Sequence, residues 1–339
     1  MIVKLLRLFA LALVLSPAMA AAEPIKLKLA FFTSDRSNIY QFAIKPFVEA
    51  VNSEGKDLIE IEVFFSGAIS QVQTQQNQLI ADGTADMAVV VAGYQPEQFP
   101  DSAVMELPGL FRDEQEASQV YTRLIEAGRL EGYKDYFLIN AFVSAGESIH
   151  SRKQINSLAD LQGQTIRTNN KIETSTLQRL GAIPVVIPIN RTTDAISQGK
   201  IDGATVPPAM LFEFGIGRVT SHHYMLRLGG APVALLMNRK KFESLPAPAQ
   251  AIIRKYSGEQ LSARTSAAFQ AKNLEILRQL EADPRRQVVF PSRSDLAASQ
   301  RVFNDVIEEW AALRPQNRKL LGLVREEMAK LEAADEGRQ

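Results

Sequence analysis

Arg167 is the residue in this sequence best placed to do chemistry. It lies in "LQGQTIRTNN", residues 161–170, with no acidic neighbour inside that stretch. Side chains alternate along "QTIRT", so Ile166 faces one side of a sheet and Arg167 the other, one residue before the strand ends. Open α/β sheets bind ligands outside the carboxyl ends of their strands. A guanidinium there presents a planar fork matched to a carboxylate. From position alone, an ordinary ion pair at the surface or between lobes would explain the arginine equally well.

Other chemistries find no residues. The chain has no cysteine, which removes disulfides, thiolate nucleophiles and thiolate metal sites together. It carries no G-x-S-x-G, H-E-x-x-H, Walker A, G-x-G-x-x-G or calcium-loop pattern. His222 and His223 are adjacent, so their side chains diverge, and His150 has no partner at metal-ligand spacing. Asp113, Glu114 and Glu116 sit at a helix start, where acids complement the helix dipole. No catalytic residue, metal ligand or cofactor is therefore expected. Lys plus Arg and Asp plus Glu each number 38, a balance that gives no electrostatic footprint for nucleic acid.

The elements that must position Arg167 alternate between strand-like and helical runs, which argues for α/β architecture. Strands are expected in 25–32, 59–65, 85–91, 137–143, 164–168, 183–188, 201–206 and 232–238, with a further one at "QVVFP". Helices are expected over 40–52, 71–81, 113–128, 171–180 and 192–198. "ADGTADMAVV" and "SQGKIDGATV" echo one another, placing Gly83 with Asp86 and Gly199 with Asp202 between a helix and an apolar strand. The echo fits two lobes of similar build, and fits common turn chemistry as well. From Pro246 to Asp283 the pattern reads as one helix of more than thirty residues spanning both lobes, with two further helices at 294–313 and 315–333.

Residues 1–22 read as a secretory signal peptide. Lys4 and Arg7 precede an apolar run from Leu8 to Leu15 and the tripeptide Ala18-Met19-Ala20, with cleavage expected after Ala20 or Ala22. The apolar run is too short to span a bilayer, and no later stretch is long enough, so the mature chain is expected in the periplasm without membrane insertion. Roughly 315 mature residues suffice for two lobes with a core each.

The stretch from 155 to 209 resembles the solute-binding proteins of tripartite ATP-independent periplasmic (TRAP) transporters, of the DctP type. The matching motifs run from Leu158 to Arg167, then Leu180-Gly181-Ala182, Pro184 to Pro188, Gln198 to Gly203, and Pro207. Further matches are "IKLKLAFF", "ADGTADMAVV", "MELPGLF" and "VALLMNRKKFESLP", so the likeness covers nearly the whole mature chain. It implies a two-lobed α/β periplasmic binding protein fold with crossing strands and a long lobe-spanning helix. The first lobe would comprise 23–143 plus 233–272, the second 144–232 plus 273–339 with the C-terminal helices.

The resemblance also implies a function: a receptor that closes on an organic carboxylate held by Arg167 and delivers it to a small and a large membrane subunit. An exported enzyme or a sensory module on the same fold is the alternative. Asn170 would add a polar contact, while Asn169 reads as a helix cap. Phe32, Gln73 and Val91 fall at cleft-facing strand ends or helix starts. Three departures stand out. A second arginine common in the family is replaced at Glu147 or Ser148. Val206 stands where many members have asparagine, and Ile189 where many have an aromatic. These losses favour an acid with an apolar body over densely hydroxylated ligands. Glu147 would meet either a ligand ammonium group or a partner in a surface ion pair.

Overall fold

The computed structural model describes residues 23–336; the signal-peptide segment lies outside them. Eleven strands form two sheets among these residues: β1 Ile25–Ala30, β2 Ile59–Phe64, β3 Met87–Val91, β4 Tyr136–Val143, β5 Ser148–Ser151, β6 Thr165–Thr168, β7 Ile183–Val186, β8 Gly203–Val206, β9 His222–Tyr224, β10 Pro232–Asn238 and β11 Gln287–Val289. The first sheet has the order β2-β1-β3-β10-β4, the second β11-β9-β5-β8-β6-β7. Each has apolar clusters on both faces, so each lobe is three layers deep.

The two sheets repeat one plan. In the first, β1 is parallel to β2 and β3, and β10 runs antiparallel beside β3. In the second, β6 is parallel to β7 and β8, and β5 runs antiparallel beside β8. The Gly-x-x-Asp echo has the same work in both. Gly83 and Gly199 end their helices with φ of 77° and 70°, conformations that favour glycine. Asp86 then accepts from the backbone N–H of Lys28 at 2.7 Å, and Asp202 from that of Thr165 at 2.9 Å. Each aspartate thus ties the chain entering its own strand to the neighbouring parallel strand.

The strands β5 and β10 are the exchanged ones: the chain leaves β4 for the second sheet and returns from β9 to the first. The two crossings, 144–147 and 225–231, lie side by side. Ser144 N–H donates to Ala231 O at 3.0 Å, Leu228 N–H to Glu147 O at 2.9 Å, and Glu147 N–H to Gly229 O at 3.3 Å. Gly229 and Gly230 are needed here for close approach. A Cβ on Gly229 would collide with the Glu106 backbone carbonyl, and one on Gly230 with the Ser144 carbonyl oxygen.

The expected single helix of more than thirty residues is broken. Helices span Ala247–Lys255 and Glu259–Ala282, separated by Gly258 at φ 82°, whose N–H donates to Ile139 O of β4 at 2.8 Å. A positive φ cannot be continued as a helix, and the bond to β4 pins the break to the sheet. The 24-residue second piece still spans the lobes, packing on the Glu114–Glu126 helix and β4 at one end and on the Pro208–Leu211 helix and β11 at the other. The last helix, Pro315–Glu336, was expected with the second lobe. It packs on the first instead, where Leu320, Leu321 and Val324 join Val120, Tyr121 and Leu124.

Gly229→Ala is expected to cost about 3 kcal/mol or more, because backbone must move. Gly83→Ala, with open space around it, should cost only the strain of a positive φ, about 1–2 kcal/mol. Urea unfolding of both variants compares them; equal losses would show that the crossing strands tolerate separation.

Candidate functional site

Arg167 is completely buried at the end of β6. Its Nε donates to Ile187 O at 3.0 Å and its Nη1 to Thr205 O at 3.1 Å, while the Thr205 hydroxyl donates back to Arg167 O at 3.0 Å. These bonds tie β6 to the chain beyond β7 and to β8. They also occupy the Nε side of the fork, so the end available to a ligand is Nη2, which has no partner in the protein. Among the described residues no carboxylate lies within ion-pair distance of it. The alternative reading of Arg167 as a salt-bridge residue is therefore overturned.

Glu147 is also buried, at 2 % exposure, which excludes the surface ion pair considered for it. Its Oε1 accepts from the Asn169 side-chain amide, and Asn169 N–H donates to Glu173 Oε2 at 2.6 Å. Glu147 Oε2 and Glu173 Oε1 remain without partners. The helix cap expected at Asn169 falls to its neighbour. Asn170 is the helix cap, its Oδ1 accepting from Glu173 N–H at 2.8 Å at the start of the Lys171–Arg179 helix, and Asn169 reaches across to the crossing strand. Asn170 also lines the main cavity.

That cavity, of about 790 Å³, lies between the lobes and the two C-terminal helices. Pro96, Pro100, Ile172, Val186, Ile187 and Trp310 make its walls largely apolar, with Tyr94, Glu106 and the two asparagines as polar points. Ile187, whose carbonyl holds Arg167, and Tyr94, whose phenol interacts with the same guanidinium, connect it to the arginine. Phe32 and Val91 lie on the opposite side, half-buried against the first lobe's core with Ala209 and Met210 of the second. Ile189 and Val206 are buried in the second lobe. Phe214 packs against the buried clusters of both lobes. The lobes are latched on that side by Asn38, which bonds Ala209 O at 2.7 Å and Glu213 Oε2 at 3.0 Å. Gln73 begins a short turn ahead of the Gln76–Ala81 helix, its Oε1 buried without a partner.

Sequence reasoning missed Tyr94, Glu106, Glu173 and Thr205. Glu106 was visible inside "MELPGLF", but nothing in its spacing announced burial. Burial pushes its carboxyl well above the ordinary value of 4.5, aided by Glu173. Glu147 is raised well above 4.5 and Glu173 is raised, again mainly by burial. The histidines form a wire behind the site. His150 Nδ1 lies 2.8 Å from His223 Nδ1, and His150 Nε2 lies 3.1 Å from Val206 O. Burial lowers His150 to about 4 and His223 to about 2, so both are neutral positioning groups. Among the described residues, no cluster of three or more metal-ligating side chains occurs.

Residues 29–313 match the family model described as bacterial extracellular solute-binding protein, family 7, or DctP. The chain belongs to that family. A TRAP solute-binding protein specific for aromatic acid ligands, from a marine metagenome, superposes with a TM-score of 0.84 at 26% identity, covering 90% of this chain and 99% of that one. A TRAP solute-binding protein from Rhodoferax ferrireducens, in complex with copurified benzoate, gives 0.84 at 26% identity, covering 92% and 99%. The C4-dicarboxylate-binding periplasmic protein DctP of Rhodobacter capsulatus is 23% identical over 71% of this chain and 73% of its own. A solute-binding protein of Verminephrobacter eiseniae is 23% identical over 61% of this chain, and the match spans 63% of that protein's length. This family 7 chain is thus a two-lobed solute receptor of the TRAP type rather than an enzyme. No helix among the described residues is long and apolar enough to cross a membrane.

The buried acids and histidines set opposite pH limits on stability. Glu106, with a raised folded value, contributes stability that is full below about 4.5 and lost as pH rises through that raised value. The histidines, with depressed values, contribute stability that is present above 6.5 and lost as pH falls toward 4. Melting temperatures from pH 4 to 9 should therefore pass through a maximum. In Glu106→Gln the decline on the alkaline side should be shallower, and superimposable curves for the two proteins would contradict the assignment.

Proposed function

We propose that this receptor binds a monocarboxylate with an apolar, aromatic-sized body and hands it to the small and large membrane subunits of a TRAP transporter from the periplasm. On this reading residues 1–22 direct export and are removed after Ala20 or Ala22. The observation that carries the reading is the buried Arg167, with Nη2 unpartnered and the guanidinium joined through Ile187 and Tyr94 to the wall of a largely apolar cavity. An unpaired guanidinium in a dry site is costly, and a ligand carboxylate is the partner that removes the cost.

The body of the ligand follows from the walls. The side chains of Pro96, Pro100, Ile172, Val186 and Ile187 offer no hydrogen bond, so a ligand hydroxyl against them would lose its water without replacement, at about 1–3 kcal/mol each. That disfavours sugar acids such as the galacturonate bound by a Sulfitobacter relative of this fold. Supporting the aromatic reading, two relatives at 25–26% identity hold 3-hydroxybenzoate and benzoate. Asn170 and Gln73 supply polar contacts at the rim, and Glu147 lies behind Asn169.

Calorimetric titration with benzoate and 3-hydroxybenzoate, and with their amides, tests this directly. The acids should bind and the amides should not. Arg167→Ala should weaken acid binding by about 2–5 kcal/mol, a loss of roughly thirty- to several-thousand-fold. The variant should also melt at a lower temperature, because two backbone carbonyls lose their donors. Amides that bind as well as the acids would sink the carboxylate reading.

A further inference from the structure

A receptor for an anion would be expected to surround its ligand with positive charge, yet Arg167 is accompanied by three buried carboxyls. Glu106 lies 5 % exposed in the first lobe, Glu147 in the crossing strand, and Glu173 in the first turn of the Lys171–Arg179 helix. Glu147 and Glu173 are neighbours through a shared donor, Asn169, and the Glu173 charge helps burial push the Glu147 carboxyl up. Asn169 holds the pair in register, its side-chain amide on Glu147 and its backbone N–H on Glu173. The two oxygens left over, Glu147 Oε2 and Glu173 Oε1, are the ones that find no donor in the protein. Two buried carboxylates bridged by one asparagine resist ionising together in a dry site, whereas one proton held by the pair removes one of the two charges.

The groups around the pair are few. Arg167 faces it from β6, the Thr205 hydroxyl from β8, and Tyr94 and Glu106 from the first lobe. Arg227, on the neighbouring crossing strand beside Gly146, is directed to Glu114 at 3.8 Å. With one shared proton the pair carries a single negative charge, which offsets Arg167. A ligand carboxylate on Nη2 claims that offset and would leave the pair's charge uncompensated.

We propose that Glu147 and Glu173 share one proton in the empty receptor and take up a second from solvent when a ligand carboxylate engages Arg167. The incoming proton forms an O–H bond on the carboxylate of the pair that was still ionised, so the anion enters with its countercharge and the closed cleft stays neutral. The pair thereby selects for net charge. A monoanion is accepted with one proton, a dianion would need two, and a zwitterion would need none. Because Glu147 lies in the crossing strand, the same proton neutralises the hinge as the lobes close. This inference rests on the ligand being a carboxylate.

The test uses the full mature protein with 3-hydroxybenzoate as probe, titrated calorimetrically in phosphate and in Tris at matched pH to count protons. Wild type should take up close to one proton per ligand and lose affinity by close to tenfold per pH unit on the alkaline side. The double variant Glu147→Gln, Glu173→Gln should take up none and bind with flat pH dependence. Glu106→Gln should keep the uptake, and its loss there would move the proton to Glu106 and overturn the proposal. Wild-type binding without uptake would overturn it as well. Carbon-13 spectra of the glutamate carboxyls in the ligand-free protein read the shared proton independently. A protonated signal at pH 7 that disappears in Glu147→Gln is expected, and its absence from wild type would overturn the pair. If the signal is present but no aromatic acid binds, the ligand reading fails and the shared proton stands.

Discussion

A buried guanidinium with one end unpaired is the constraint around which this receptor is arranged. Arg167 gives its Nε and Nη1 to the carbonyls of Ile187 and Thr205 and keeps Nη2 free. The bonded side makes the arginine rigid, so the free end is aimed before any ligand arrives. Rigidity of this kind lowers the ordering cost of binding. On the proposed reading the arginine serves the fold and the ligand together, and the two roles cannot be removed separately by deleting the side chain.

The rest of the architecture brings two such strand ends face to face. Each lobe uses the same parallel core and an equivalent aspartate to tie neighbouring parallel strands together. The exchanged strands β5 and β10 then bind each lobe into the other's sheet. Their crossings run in contact through Gly229 and Gly230, and they carry Glu147 into the site. Hinge, specificity and electrostatics therefore meet in one short segment. Asn38 bonds one lobe to the other, Phe214 packs against the clusters of both, and the largely apolar cavity lies among other residues of the two lobes.

Much of this plan was legible in the sequence because it rests on local signals. Apolar runs located every strand but β5 and β9, and Gly83 and Gly199 marked helix ends through the positive φ they adopt. Motif spacing singled out Arg167. What escaped was set by tertiary contact. The strands β5 and β9 are short and contain His150 and His223, polar residues whose burial depends on their pairing with each other. Nothing in the spacing of Glu106 and Glu173 announced that the fold buries them. Asn169 and Asn170 are identical in type and adjacent, so only the chain's direction at the end of β6 decides which one caps and which one crosses. The break at Gly258 was concealed by flanking residues that are good helix formers, and the bond to Ile139 decides it.

The most direct measurement is a crystal structure of the receptor with bound 3-hydroxybenzoate. The account requires a carboxylate oxygen within about 3 Å of Arg167 Nη2, with Nε still on Ile187 O and Nη1 still on Thr205 O, and the ring against apolar wall residues. A ligand seated elsewhere, with Nη2 contacting only protein or water, would contradict it.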